Sequence, residues 1–278
     1  MRLSPALLSL LTALGAHGAH GDVAPAAQPV AASVAHAAGA RWSVAGADVA
    51  TAEPTRARAF YFSRALYTGA GRGRGGWGGS WATDYPKADL QFLTVLQRLL
   101  PTVDAHPEEH ALALTDPALR RYPYLYAVEV GYMALTDEEV AGLRQYLLAG
   151  GFLFVDDFWG TREWASFEAQ LRRVLPGRPV VELGPDHPVF TTYYQIDRVV
   201  QVPSVNNACR GWGTSERDGT VPSVRGVFDD EGRLMVLISF NSDLGDAWEW
   251  AERSCYPLEY STYAFQLAVN TIVYAMSR

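Results

Sequence analysis

The chain has 278 residues, 49% of them hydrophobic, enough to bury the core of one α/β domain. Its 30 acidic residues outnumber 23 basic ones, for a formal net charge of -7. With no Lys/Arg block apart from the Gly-Arg stretch at 71–76, that balance argues against nucleic acid or an anionic membrane as main partner and favours a small neutral or cationic ligand.

Arg2 stands ahead of an apolar run at 6–14, followed by small residues such as Ala16 and Gly18. This is the pattern of a secretory signal peptide over residues 1–18, with an uncleaved N-terminal anchor as the alternative. No later segment reaches the roughly 18 unbroken apolar residues of a membrane helix, so no span is expected in the mature chain. Residues 19–55 are rich in Ala, Val, Pro and Gly without a period and read as a disordered linker, leaving a folded domain over 56–278. An exported protein, periplasmic or secreted, is expected. Export would bring Cys209 and Cys255 into an oxidising compartment, where they form either a disulfide or two free thiols.

From there strands and helices alternate. Residues 57–66 read as a strand, 88–100 as an amphipathic helix and 122–130 as a second strand. Thr136 and Glu139 form a capping box for a helix that Gly150 and Gly151 stop. GFLFVDD gives the next strand, and 161–175 a helix with Thr161 as its cap. Residues 224–240 form a hairpin turning at Asp230, Glu231 and Gly232, and 261–276 a closing apolar helix. The order predicts a three-layer α/β sandwich with a mostly parallel sheet and a C-terminal hairpin.

In an open parallel sheet, ligands bind beyond the carboxyl ends of the strands. That rule singles out Arg64 and Tyr67 after the first strand, Glu129 after the second, and Asp156, Asp157 and Trp159 after the third. The structural alternatives are helix capping by Asp157 and an ion pair between Glu129 and Arg64. Adjacent residues at a strand end point to opposite sides, so one of the two aspartates should turn the chain and the other face a pocket. The glycine-rich stretch 69–86 has no G-K-[ST] and reads as a lid, with Trp77 and Trp81 closing over a ligand and Asp84 introducing the next helix; a solvated loop is the alternative.

NSDLGDAWEW, 241–250, groups Asn241, Asp243, Asp246 and Glu249 with Trp248 and Trp250. Such oxygen density suits Ca²⁺ or Mg²⁺, with Asp243 and Asp246 as candidate ligands, although the spacing is not that of an EF-hand. The alternative is a short helix capped by Asp246, with Glu249 completing the box. His187, before Pro188, is either a structural residue or a base. His106 and His110 lie in a Pro/Glu-rich connection and read as solvated. No H-E-x-x-H, C-x-x-C or G-x-S-x-G occurs, and no motif requires a cofactor.

The series GGWGGSWATDYPKADLQFL, YPYLYAVEVGYMALTDEEVAGLRQYLLAGGFLFVDDFWG, DHPVF and NSDLGDAWEWAE resembles the DUF4159 family, bacterial proteins of unknown function, over about residues 58–278. The resemblance implies a flavodoxin-like sandwich related to class I glutamine amidotransferases and no established activity. Those enzymes place a nucleophilic Cys on a strand-to-helix elbow, where this chain has Asp156 and Asp157, so that chemistry is not expected. The expected function is binding of a small polar ligand or glycan at the strand ends. The residues to carry it are Arg64, Trp81, Asp84, Glu129, Asp156, Asp157, Trp159, Asn241, Asp243, Asp246 and Trp248. Alternatives are a carboxylate- or metal-assisted hydrolase and a protein-interaction domain in a cell-envelope assembly.

Overall fold

The computed structural model describes residues 60–70 and 80–277. The expected signal peptide and linker, Trp77 and the start of the first strand lie outside them.

Seven strands form one sheet in the order β2-β1-β3-β4-β7-β6-β5. They are β1 (Ser63–Leu66), β2 (His110–Ala113), β3 (Tyr124–Val128), β4 (Phe152–Asp156), β5 (Val181–Glu182), β6 (Ser223–Phe228) and β7 (Leu234–Phe240). The β2-β1-β3-β4-β7 part is parallel and follows a flavodoxin-like doubly wound order. β6 and β5 extend it antiparallel through the expected hairpin, whose turn uses Gly232 at φ 78°. The helices are α1 (Lys87–Leu99), α2 (Asp137–Leu148), α3 (Gly160–Val174), α4 (Val205–Arg210), α5 (Leu244–Glu249) and α6 (Leu258–Met276).

Because side chains alternate along a strand, the apolar runs feed two cores. Tyr124, Tyr126, Phe152 and Phe154 face α1, α5 and α6, meeting Phe92, Trp248 and Phe265. Leu125, Ala127, Leu153 and Val155 face α2 and α3, meeting Leu143, Leu147, Phe167 and Leu171. The result is the expected three-layer sandwich. Among the described residues, no helix is long and apolar enough to cross a membrane.

The Thr136–Glu139 capping box forms in full, and Glu139 Oε1 also accepts from Thr68 N, tying α2 to the exit of β1. Thr161 is not a cap: α3 starts a residue earlier, and the Thr161 hydroxyl donates to Asp218 at 2.6 Å. Asp246 is not the cap of α5 either. Asp243, three residues earlier, accepts from Asp246 N at 2.8 Å, which the spacing of a short helix allows equally well.

His110 is not solvated. It starts β2, is buried between Tyr61 and Tyr122, and its Nδ1 lies 2.9 Å from Ser63 Oγ. Its four-residue strand is hidden in a polar, Pro-containing stretch because pairing with β1, not local pattern, makes it a strand. His187 caps a single 3₁₀ turn, accepting from Val189 N.

Candidate functional site

Strands β3, β4 and β7 are neighbours in the sheet and end in the same way. The residue after each strand, Glu129, Asp157 and Asn241, is left-handed, with φ of 52°, 50° and 59°. For a residue with a Cβ this conformation costs on the order of 1 kcal/mol, so the surrounding structure must hold it. Hydrogen bonds past the strand ends do so: Glu129 N donates to Asp157 O, Asp157 N to Ser242 O, and Asn241 N to Phe158 O. The consequence is that the side chains are turned away from where a continuing strand would send them.

Asp156 and Asp157 divide their roles. Asp156 is fully buried, and its Oδ2 accepts from the Tyr126 hydroxyl at 2.9 Å, Leu244 N at 2.8 Å and Gly245 N at 3.1 Å. It fixes the first turn of α5. Burial pushes its pKa up to about 7 in spite of those donors. Asp157 lines a cavity, with Oδ1 accepting from Trp159 Nε1 at 3.1 Å. Trp159 is itself buried and orients that carboxylate from behind.

The cavity has a volume of about 780 Å³ and lies at the carboxyl ends of β1, β3, β4 and β7, across the switch point between β1 and β3. Asp84, Glu129, Asp157, Asp243, Asp246 and Glu216 line it, with Arg210 and Arg217. Five non-glycine residues have positive φ among the described residues, and four of them, Asp84, Glu129, Asp157 and Arg217, are on this wall.

Arg64 stands behind the cavity rather than in it. It lies within β1, fully buried, paired with the equally buried Asp89. Its Nη1 donates to Trp81 O and to Thr83 O at 2.7 Å, which holds the loop that presents Asp84. The alternative partner, Glu129, is not the one that Arg64 takes. Trp81 packs on Tyr85, with ring centroids 5.6 Å apart, and is not part of the lining. Asn241 accepts from Gly160 N and donates to Val221 O, joining loops beside the site. Trp248 is buried in the core against Phe62, Phe92 and Tyr126, away from any ligand.

The far wall is α4 and the loop after it, which bring Asn206, Asn207, Arg210, Trp212, Ser215, Glu216 and Arg217. Sequence reasoning missed this wall. Its signals were Cys209, joined to Cys255 with Cα atoms 5.0 Å apart, and a Trp between two glycines. Trp212 is 64% exposed, with the Arg210 guanidinium 4.7 Å from its ring centre. Both cysteines of the chain are in the disulfide, so neither is a thiol nucleophile.

The carboxylates outweigh the cations. Burial raises Asp84, Asp157 and Asp243 well above the ordinary carboxylate range, and acidic neighbours push the same way: Asp246 on Asp84, Glu129 on Asp157, Asp157 on Asp243. Burial also raises Asp246, against the hydrogen bonds from Val205 N at 2.7 Å and Trp250 Nε1 at 3.0 Å that its carboxylate accepts. Arg217 pairs with Glu163 at 2.6 Å and donates to the Tyr132 hydroxyl at 2.8 Å. Among the described residues, Asp84, Asp243 and Asp246 are the group able to hold a metal, since one oxygen of each lies within 4.8 Å of the others.

Among curated proteins no relative matches the chain. The family model described as "Domain of unknown function (DUF4159)" matches residues 65–276, a stretch that contains every strand but the first residues of β1 and every wall of the cavity. The chain therefore belongs to the DUF4159 family.

Proposed function

We propose that this domain binds a small polar ligand, cationic or rich in hydroxyls, in the carboxylate-lined cavity. The observation that carries the reading is the strained exit of adjacent strands: Glu129 and Asp157 leave β3 and β4 left-handed, and with Asp84, also left-handed, they turn carboxyl groups into one space. Strain of this kind clusters at ligand sites, and the cavity is of a size that suits a small molecule. Amines would meet the carboxylates as charge partners, while a sugar would give its hydroxyl hydrogens to Asp157 and Glu129 and lay its C–H face on Trp212.

The test is the melting temperature of the full chain with a panel of amines, amino sugars and neutral sugars, because a ligand bound only by the folded state raises it. A shift that Asp157→Asn removes supports the reading. A panel that leaves the melting point unmoved counts against it.

A carboxylate-dependent hydrolase is the second reading, favoured by the raised pKa of Asp157. Burial, and after it the neighbouring Glu129, push that carboxyl's pKa upward, the direction a general acid needs. Turnover of a glycoside or ester that disappears in Asp157→Asn would select it. We also infer export. The Cys209–Cys255 disulfide fits an oxidising compartment, and the apolar run after Arg2 fits a signal peptide.

A further inference from the structure

The geometry points to a hard divalent cation, Ca²⁺ or Mg²⁺, held by Asp84, Asp243 and Asp246 inside the cavity, a site that deepens the ligand-binding reading and rests on the same cavity. One carboxylate oxygen of each residue lies within 4.8 Å of the others. Oxygens on opposite sides of a Ca²⁺ ion stand about 4.8 Å apart, and those on adjacent corners are closer. The three are drawn from two separate chain segments, the β1–α1 loop and the β7–α5 turn, so the fold and not local sequence makes the cluster.

A second observation is independent of the acidic count. Asp84 Oδ2 is sealed from solvent and receives no hydrogen bond. Asp156, fully buried against the same β7–α5 turn through Leu244 N and Gly245 N, likewise leaves its Oδ1 without a donor. A buried acceptor without a donor is rare in a folded protein, and an ion or water is its usual explanation. Asp84 Oδ2 is aimed at the turn that carries the other two ligands. A Cβ on Gly245, which lies between Asp243 and Asp246, would stand 2.7 Å from Asp84 Oδ2 and 3.7 Å from Asp243 Oδ1. Glycine is thus what lets the two segments close on a common point.

The remaining contacts hold the ligands in place. Asp243 Oδ1 accepts from Asp246 N, and Asp246 accepts from Val205 N and Trp250 Nε1. Such outer bonds fix the direction of a ligating carboxylate. The nearby cations are engaged elsewhere: Arg64 with Asp89, Lys87 with Glu249 at 3.7 Å, Arg217 with Glu163 at 2.6 Å, and Arg210 against the Trp212 ring. An all-oxygen donor set with no thiolate or imidazole selects Ca²⁺ or Mg²⁺ over softer metals.

Tb³⁺, a luminescent stand-in for Ca²⁺, tests the site in the full chain after metal removal. Trp250, whose Nε1 is 3.0 Å from Asp246 Oδ1, is placed to sensitise it. The expected result is Trp-excited Tb³⁺ emission that Ca²⁺ or Mg²⁺ displaces. Asp84→Asn should weaken Tb³⁺ by at least about tenfold, because affinity follows the ligand charge count. Asn tolerates the left-handed backbone at 84, and the helix that follows, α1, has no side-chain cap, so the fold should persist. Gly245→Ala, which fills the space beside Asp84 Oδ2, is the second variant and should weaken Tb³⁺ as well, whereas Glu138→Gln on the exposed face of α2 should not. Absent emission, emission that neither Ca²⁺ nor Mg²⁺ displaces, or affinity unchanged in Asp84→Asn and Gly245→Ala overturns the cation site. The amine and sugar panel repeated in chelator separates the two readings: a shift there with no Tb³⁺ site sinks only the cation, and Tb³⁺ binding with no shift under either condition sinks only the organic ligand.

Discussion

Asp84 and Asp89 stand five positions apart in the chain, both at the corner between β1 and α1, and the structure treats their charges in opposite ways. Asp89 is buried with Arg64 clasped against it through two nitrogens, and each side chain is fully enclosed. Asp84 faces Asp243 and Asp246 across a cavity, with its pKa driven upward first by burial and then by Asp246 and Glu249. A buried charge with a matched partner is a strut. A buried charge among like charges stores repulsion that a proton, a cation or a ligand relieves, and it marks where something binds. Arg64 connects the two regions, since the same guanidinium that neutralises Asp89 also holds the carbonyls of Trp81 and Thr83 next to Asp84.

The most severe way to break the contrast is Arg64→Met, which strands Asp89 in the core and frees the loop. Losing one partner of a buried pair costs about 3–5 kcal/mol. Urea denaturation should show that loss, and Arg64→Met with Asp89→Leu should recover much of it. A cost within about 1 kcal/mol for the single change would mean that Asp89 finds other solvation, contrary to a closed strut.

The disulfide comes next, and it sharpens the contrast because it braces the cavity wall rather than the strut. Cys209 and Cys255 are separated by 46 positions, and removing a crosslink over such a span costs about 2–4 kcal/mol. Replacing both by Ser should lower stability by that order and weaken any cavity ligand, because α4 carries Asn206, Asn207 and Arg210. Full affinity in the double variant would show the wall to be held by other contacts.

A third buried ionisable group is neither clasped by an opposite charge nor open to the cavity. His110 is enclosed by Tyr61 and Tyr122, its Nδ1 faces Ser63 Oγ, and its Nε2 has no partner. Burial, then the neighbouring His106, lower its pKa from 6.5 to about 4. A folded pKa below the unfolded one means that the unfolded chain takes up the proton first. The contribution is therefore complete above pH 6.5 and is lost as pH falls toward 4. His110→Asn, which keeps a polar atom toward Ser63 and cannot titrate, should flatten the stability difference between pH 7 and pH 5 relative to the parent chain. An identical pH slope in both proteins would mean that His110 takes up its proton as readily in the fold as in the unfolded chain, contrary to a pKa lowered by burial.

What was legible in the sequence follows the range of the force responsible. The helix after Thr136 and the hairpin through Gly232 are local, set by capping and turn chemistry over three to five residues, and both form as read. The split between Asp156 and Asp157 was expected from alternation, but the left-handed backbone at Asp157 sets its direction, and Asp156 is held by Leu244 N and Gly245 N, 88 and 89 positions away. Arg64 looked like a site residue for the same reason, since its partner Asp89 sits on a helix whose packing the sequence does not state. Trp248 and Trp159, expected among the ligand-binding residues, are buried instead. In α5 the 3.6-residue period sets Asp246 and Trp250 on one side and sends Trp248 to another, where Phe62 and Phe92 enclose it. The α4 wall carried no periodic signal, and what ties it to the rest is long-range: the pairing of Cys209 with Cys255 and the hydrogen bond from Val205 N to Asp246.

The smallest expected effect has the opposite sign and tests the contrast most directly. If Asp157 belongs to a strut, Asp157→Asn should destabilise the fold, because Trp159 Nε1 loses a charged acceptor. If it belongs to a site of stored repulsion, removing one carboxylate from the neighbourhood of Glu129, Asp84 and Asp243 should stabilise the ligand-free protein. The amide retains an oxygen for Trp159, and Asn accepts the left-handed φ of 50° at that position, so the two effects are separable. Binding sites hold such groups at the expense of stability, and relieving one is worth about 0.5–2 kcal/mol. A rise in the melting temperature of that order, measured without ligand or divalent metal, would assign Asp157 to the binding side of the contrast. A fall would move it to the side of Asp89 and leave Glu129 and Asp84 as the carboxylates on which any ligand must rest.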